Sequence, residues 1–101
     1  MAEAIAPKEV FELAPRLDLA AAEALHTEIL ERRDVGASLQ FNASDVSLVD
    51  TPAIQVLLAA AKDQEAREQG FELVDPSPAF TEAMSLLGLE AQLNMWRGHD
   101  E

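Results

Sequence analysis

The residues with chemical potential are few, and most of them fall between Asp45 and Thr51. Asp45 and Asp50 offer two carboxylates, and Thr51 adds a hydroxyl directly after the second. Paired carboxylates can do general acid–base work, and a hydroxyl beside an acid can accept a phosphoryl group. Acid–base catalysis needs more than the pair: a nucleophile, a base within reach, or a metal. The only histidines, His26 and His99, lie far apart and have no ligand spacing, and the chain has no cysteine. No glycine-rich phosphate loop is present. The constellation for a small hydrolase or transferase is therefore missing. The chain reads as a non-enzyme without metal or cofactor, in which Asp45 and Asp50 are solvated turn residues.

Charge narrows the partners. Among 101 residues, Lys and Arg number 7 against 19 Asp and Glu, a formal charge of -12. Nucleic acid is disfavoured, because affinity for phosphate backbones comes from Lys and Arg. An anionic bilayer surface is disfavoured on the same ground. No apolar run is long enough to span a membrane, and Met1–Pro7 lacks the basic start and apolar stretch of a signal peptide. The expectation is a single, small, acidic, cytoplasmic domain covering 1–101, with its core at about 9–95. Met1–Lys8 is expected to be a loose arm and Gly98–Glu101 a frayed tail.

The elements that must position Asp45–Thr51 can be read from periodicity. Val10–Leu13 reads as a short strand that Pro15 ends or kinks. Asp18 is a good N-cap for a helix from Leu19 to about Arg33, with Ala22, Leu25 and Ile29 as its apolar stripe. His26 on this helix reads as partly exposed and structural. Glu28 and Arg32 stand at i, i+4 on the wet side, and Gly36 breaks the pattern. Leu39, Phe41 and Ala43 alternate with Gln40 and Asn42, the period of a strand with one buried face.

Thr51 then serves as N-cap and Pro52 as first residue of a second helix. Ile54, Leu57, Leu58 and Ala61 face inward, and Gly70 is the left-handed terminator. The acidic run Asp63, Glu65, Glu68 reads as its wet face. Phe71 and Leu73 mark a further strand. Ser77-Pro78 repeats the cap-then-proline start, and Phe80, Ala83, Met84 and Leu87 form a third stripe. Gly88-Leu89 has the form of a Schellman end, and Ala91–Trp96 of a last short helix. Trp96 either covers the core edge or belongs to a contact surface. Strands alternating with helices predict an α/β layer structure with a partly parallel sheet.

Three segments together resemble the STAS domain family. Leu13–Asp18 followed by Ala22 and Leu25 is similar to the family's opening pattern. Phe41–Thr51 resembles its central strand and switch loop, and Asp75–Phe80 with Leu87-Gly88-Leu89 its C-terminal signature. Pro52 stands where many members have Ser or Thr, Ala53 and Gln55 where many have glycine, Asn42 for a common Asp and Pro15 for a common Gly. The resemblance implies a mixed β-sheet with helices packed mainly on one face. It also implies a regulator that works by protein–protein binding, similar to anti-sigma factor antagonists. In such proteins a Ser/Thr kinase-type anti-sigma factor phosphorylates the hydroxyl after the Asp, here Thr51 after Asp50. The implied switch loop and partner contact comprise Asp45, Asp50, Thr51, Pro52 and Gln55. The alternative partner is another signalling or transport ATPase. It would be a chemotaxis or two-component kinase complex, or the ATPase of a lipid ABC transporter.

Overall fold

The computed structural model describes residues 10–36 and 38–97; the expected arm and tail lie outside them. Three parallel strands, β1 (Val10–Glu12), β3 (Leu39–Asn42) and β5 (Phe71–Val74), form a sheet in the order β1-β3-β5. A two-stranded parallel ribbon pairs β2 (Arg16–Leu17) with β4 (Leu48–Val49). All described pairings are parallel. The antiparallel strand that a mixed sheet requires is not among the described residues.

Register explains the two faces. Phe11 stands opposite Phe41, Phe41 opposite Leu73, and Leu39 opposite Phe71. With a period of two, these residues share one face. Their rings run across the sheet in contact: Phe11 to Phe41 at 6.0 Å, Phe41 to Phe71 at 5.5 Å, and Phe71 to Trp96 at 5.3 Å. Trp96 is buried and so covers the core edge. The other face carries Glu12, Gln40, Asn42 and Glu72, with Gln40 donating to Glu72 at 2.8 Å.

Helix α1 (Leu19–Asp34) begins where Asp18 accepts from the Ala21 N–H at 3.0 Å, the expected cap. Ala22, Leu25 and Ile29 are buried, Glu28 pairs with Arg32 at 2.8 Å, and the Arg32 guanidinium lies over the Phe11 ring. Helix α2 (Thr51–Ala66) buries Ala53, Ile54, Leu57, Ala60 and Gln64. Leu58 and Ala61, expected inside, are only partly buried. The inward seam therefore runs through Ala53, Ala60 and Gln64. Their small or hydrogen-bonded side chains let the helix approach closely, and Gln64 donates to the Gly70 carbonyl at 2.9 Å.

Gly70 is not the left-handed terminator of α2; Glu68 takes that conformation, with φ 59°. Gly70 serves a different need. A Cβ there would meet Ser38 Oγ at 3.0 Å, while its carbonyl receives both Leu39 N–H and Gln64. It is a glycine of close approach rather than of turn geometry.

Helix α3 (Pro78–Leu86) buries Phe80 and Met84 and ends in a Schellman motif. Leu89 N–H donates to Met84 and Gly88 N–H to Ser85, with Gly88 at φ 74°. This turn lifts Leu87 out of the expected stripe to the surface and folds Leu89 back instead. Helix α4 (Glu90–Trp96) closes the core with Leu93 and Trp96.

Candidate functional site

The loop between β3 and β4, with the first turn of α2, is exposed at its side chains and tied down at its backbone. Asn42 Oδ1 accepts from Ser44 N–H at 2.8 Å and shapes the turn that leaves β3. Val46 is buried. Its carbonyl accepts from the Ser77 hydroxyl at 2.6 Å, which ties the loop to the start of α3. The Pro15 carbonyl accepts from Ser47 N–H at 2.7 Å, from Ser47 Oγ at 3.2 Å and from Leu48 N–H at 3.2 Å. Pro15 thus donates nothing but receives three bonds, and the short β2–β4 ribbon continues the anchorage. Asp50 N–H closes it by donating to Leu17 at 2.9 Å.

The N-cap of α2 is Asp50, not Thr51. Asp50 has extended backbone angles (φ −95°, ψ 155°), and its carbonyl accepts from Ala53 N–H at 3.1 Å. Its side chain makes no capping bond. Thr51 is already inside the first turn, because its predecessor turns the chain first. Its side chain is exposed, as are those of Asp50, Pro52 and Gln55. Helical spacing puts Thr51, Pro52 and Gln55 on one edge of the first turn. The structure thus brings together four of the five predicted contact residues. Asp45 is exposed on the preceding loop, and none of the described hydrogen bonds or ion pairs joins it to Asp50 or Thr51.

None of the described hydrogen bonds links the Thr51 hydroxyl to a base. Among the described residues no three His, Asp or Glu side chains gather as metal ligands. Pro52 removes one N–H from the first turn, so the free donors that usually make a helix start attractive to phosphate are fewer here.

Beside Pro52 and Gln55 a groove of about 530 Å³ opens between α1 and α2. Leu19, Leu30, Val56 and Ala59 are among its lining residues. Sequence reasoning missed it. The signal was present in the leucines of α1 that stand off the core stripe, Leu19 and Leu30, which the structure leaves 58% and 39% exposed. It also missed the Ser77–Val46 tie, which joins residues distant in sequence.

A family model described as "Mlab, STAS domain" matches residues 1–95. No curated protein and no solved structure matches the chain. With nearly the whole chain covered, and with parallel strands and four helices in the expected order, the protein belongs to the STAS domain family. Such domains are in general regulatory, non-enzymatic modules that mediate protein–protein interaction. No helix among the described residues is long and apolar enough to cross a membrane.

Proposed function

We propose that this STAS domain regulates an ATP-using protein partner in the cytoplasm by binding it through the exposed start of α2. Asp50, Thr51, Pro52 and Gln55 form the contact, with Asp45 at its margin. One observation carries the reading: the side chains here point to water, while the backbone beneath them is held by Pro15, Leu17 and Ser77. Rigid backbone under unpartnered polar side chains lowers the ordering cost of association.

Two forms of this function differ at Thr51. In an anti-sigma factor antagonist, a kinase-type partner phosphorylates Thr51 and the added charge of about -1.5 to -2 breaks the complex. In an accessory subunit the contact is constitutive. Pro52 favours the second form, because it deprives a phosphate on Thr51 of a donor while Asp50 repels it. The accessory partner is then either a chemotaxis or two-component kinase complex or the ATPase of a lipid ABC transporter.

Tagged wild type, Thr51→Ala and Thr51→Glu, purified from the native organism, test the reading. Wild type and Thr51→Ala should retain the same ATPase, identified by mass spectrometry. Thr51→Glu should retain about tenfold less, because a longer, charged side chain must be desolvated where the partner packs over the helix start. A partner that survives Thr51→Glu and Pro52→Asp undiminished would sink the contact face. Stoichiometric phosphate on Thr51 with a copurifying anti-sigma kinase would decide for the antagonist.

A further inference from the structure

The groove between α1 and α2 deepens the proposed function, and rests on it, by indicating the form of the partner's binding segment. Both helices run back from the end of one parallel strand to the start of the next, so they lie side by side in the same direction. Their seam begins at Leu19 and Pro52 and ends at Leu30 and Asp63. From Leu19 to Leu30 is about 16 Å along the helix axis, three turns.

Core residues Ala22, Ile29 and Ala60 form the floor of this groove, and apolar side chains outside the core extend its lining. Helix α1 turns Ala22, Leu25 and Ile29 inward, yet it also carries Leu19 and Leu30, 58% and 39% exposed at the two ends of the groove. Val56 and Ala59 continue the apolar lining from α2. A helix that is apolar beyond the stripe facing its own core has surface available for another element. Among the described side chains, the charged ones lining the groove are Glu23 and Asp63, the latter also paired with Arg67, and no Lys or Arg lines it. The chain around it carries a formal charge of -12.

From these observations we propose that the groove receives an amphipathic helix of the partner, about three turns long. It presents apolar residues at i, i+3 or i+4, and i+7 to the seam and carries Lys or Arg on its flanks. One end of that helix lies over Pro52 and Gln55, which belong both to the groove and to the contact around Thr51. A charge placed on Thr51 then acts at the mouth of the groove rather than on a separate surface.

Site-specific photo-crosslinking in cells of the native organism tests this. A photoreactive phenylalanine analogue replaces Ala59 in the groove, Thr51 at the helix start, or Leu86 on the remote end of α3 as control. Ala59 and Leu86 are both exposed. The crosslinked peptide is then sequenced by mass spectrometry. The proposal expects the Ala59 and Thr51 probes to capture one protein, and the Ala59 peptide to have the apolar spacing and basic flanks described. The Leu86 probe should not capture it. Leu19→Asp should reduce capture at Ala59 by about tenfold, the order of one misplaced charge in an apolar contact. Capture through Thr51 with none through Ala59 overturns the groove and leaves the contact face standing. Capture of a second copy of this chain at Ala59, or of a peptide without the pattern, also overturns it. Silence at both probes removes the proposed function as well.

Discussion

Two helices of this protein begin with a capping residue and a proline within the next two positions, and use that start in opposite ways. At α3, Ser77 is buried; its hydroxyl accepts from Phe80 N–H at 3.1 Å and donates to Val46 at 2.6 Å. At α2, Asp50 is exposed and caps nothing with its side chain, and Thr51 and Pro52 follow it into water. One start is consumed by structure and the other is left open. The difference lies in what surrounds each: Ser77 meets a carbonyl from the facing loop, whereas Asp50 meets solvent. An open polar start, on backbone anchored at Pro15 and Leu17, is where binding can act without disturbing the fold.

The strongest test of that contrast is in the body of α2. Leu57 is fully buried beneath the open start. Leu57→Ala should cost about 2–5 kcal/mol in urea denaturation, the range for cavity-forming substitutions. A loss below about 1 kcal/mol would mean that α2 is not fastened to the core, and the contrast between rigid support and open side chains would fail.

Ser77→Ala comes next. It deletes the α3 cap and leaves the Val46 carbonyl without its donor, so we expect a loss of about 1–3 kcal/mol. Ser77→Thr should recover part of it by restoring the hydroxyl. Amide hydrogen exchange should also quicken in the loop from Val46 to Asp50 more than in β3. Equal acceleration in both would show that Ser77 acts only on global stability.

The uneven legibility of these regions has a physical origin. Local signals were readable: the Asp18 and Ser77 caps, the Glu28–Arg32 pair and the Schellman turn at Gly88 depend on residues three to five apart. Strand alternation at Leu39–Ala43 gave the buried face because period two needs no partner to be seen. Contacts between segments were not readable. The β2–β4 ribbon is two residues per strand, too short for periodicity, and exists because Pro15 and Leu17 face the loop. Gly70 looked like a terminator because glycine tolerates φ > 0, yet its place is set by Ser38 across the sheet edge. The candidate site was legible as a segment, Asp45–Thr51, through its resemblance to the STAS pattern. Its groove was not, since the sequence cannot say which leucines of α1 the core leaves uncovered.

Asp50→Asn sharpens the contrast at smaller scale. With no side-chain capping bond, Asp50 helps α2 only through its charge near the positive end of the helix dipole. The expected loss is about 0.3–1 kcal/mol at low salt, fading at high salt. The Ser77→Ala loss should persist at high salt, because neutral hydrogen bonds are not screened. A salt-independent loss at Asp50 would point to a capping bond and make the two helix starts alike.

The smallest effect should be at the residue that matters most to the proposal. Thr51 lies inside the first turn of α2, exposed, with the cap position already held by Asp50. Thr51→Ala removes a β-branched side chain from a helix and replaces it with the best helix former, which favours the variant by a few tenths of a kcal/mol, about 0.5 at most. Urea midpoints should therefore coincide with wild type or rise slightly, with unchanged slope. Had Thr51 been the cap, the same substitution would cost about 0.5–2 kcal/mol. Thr51→Glu should be equally benign to the fold, since a carboxylate in the first turn suits the helix dipole. Its effect belongs to the partner alone. A residue neutral to stability in both variants, yet decisive for binding in one, is held for contact rather than for folding. A destabilisation by Thr51→Ala comparable to that of Ser77→Ala would return Thr51 to the scaffold.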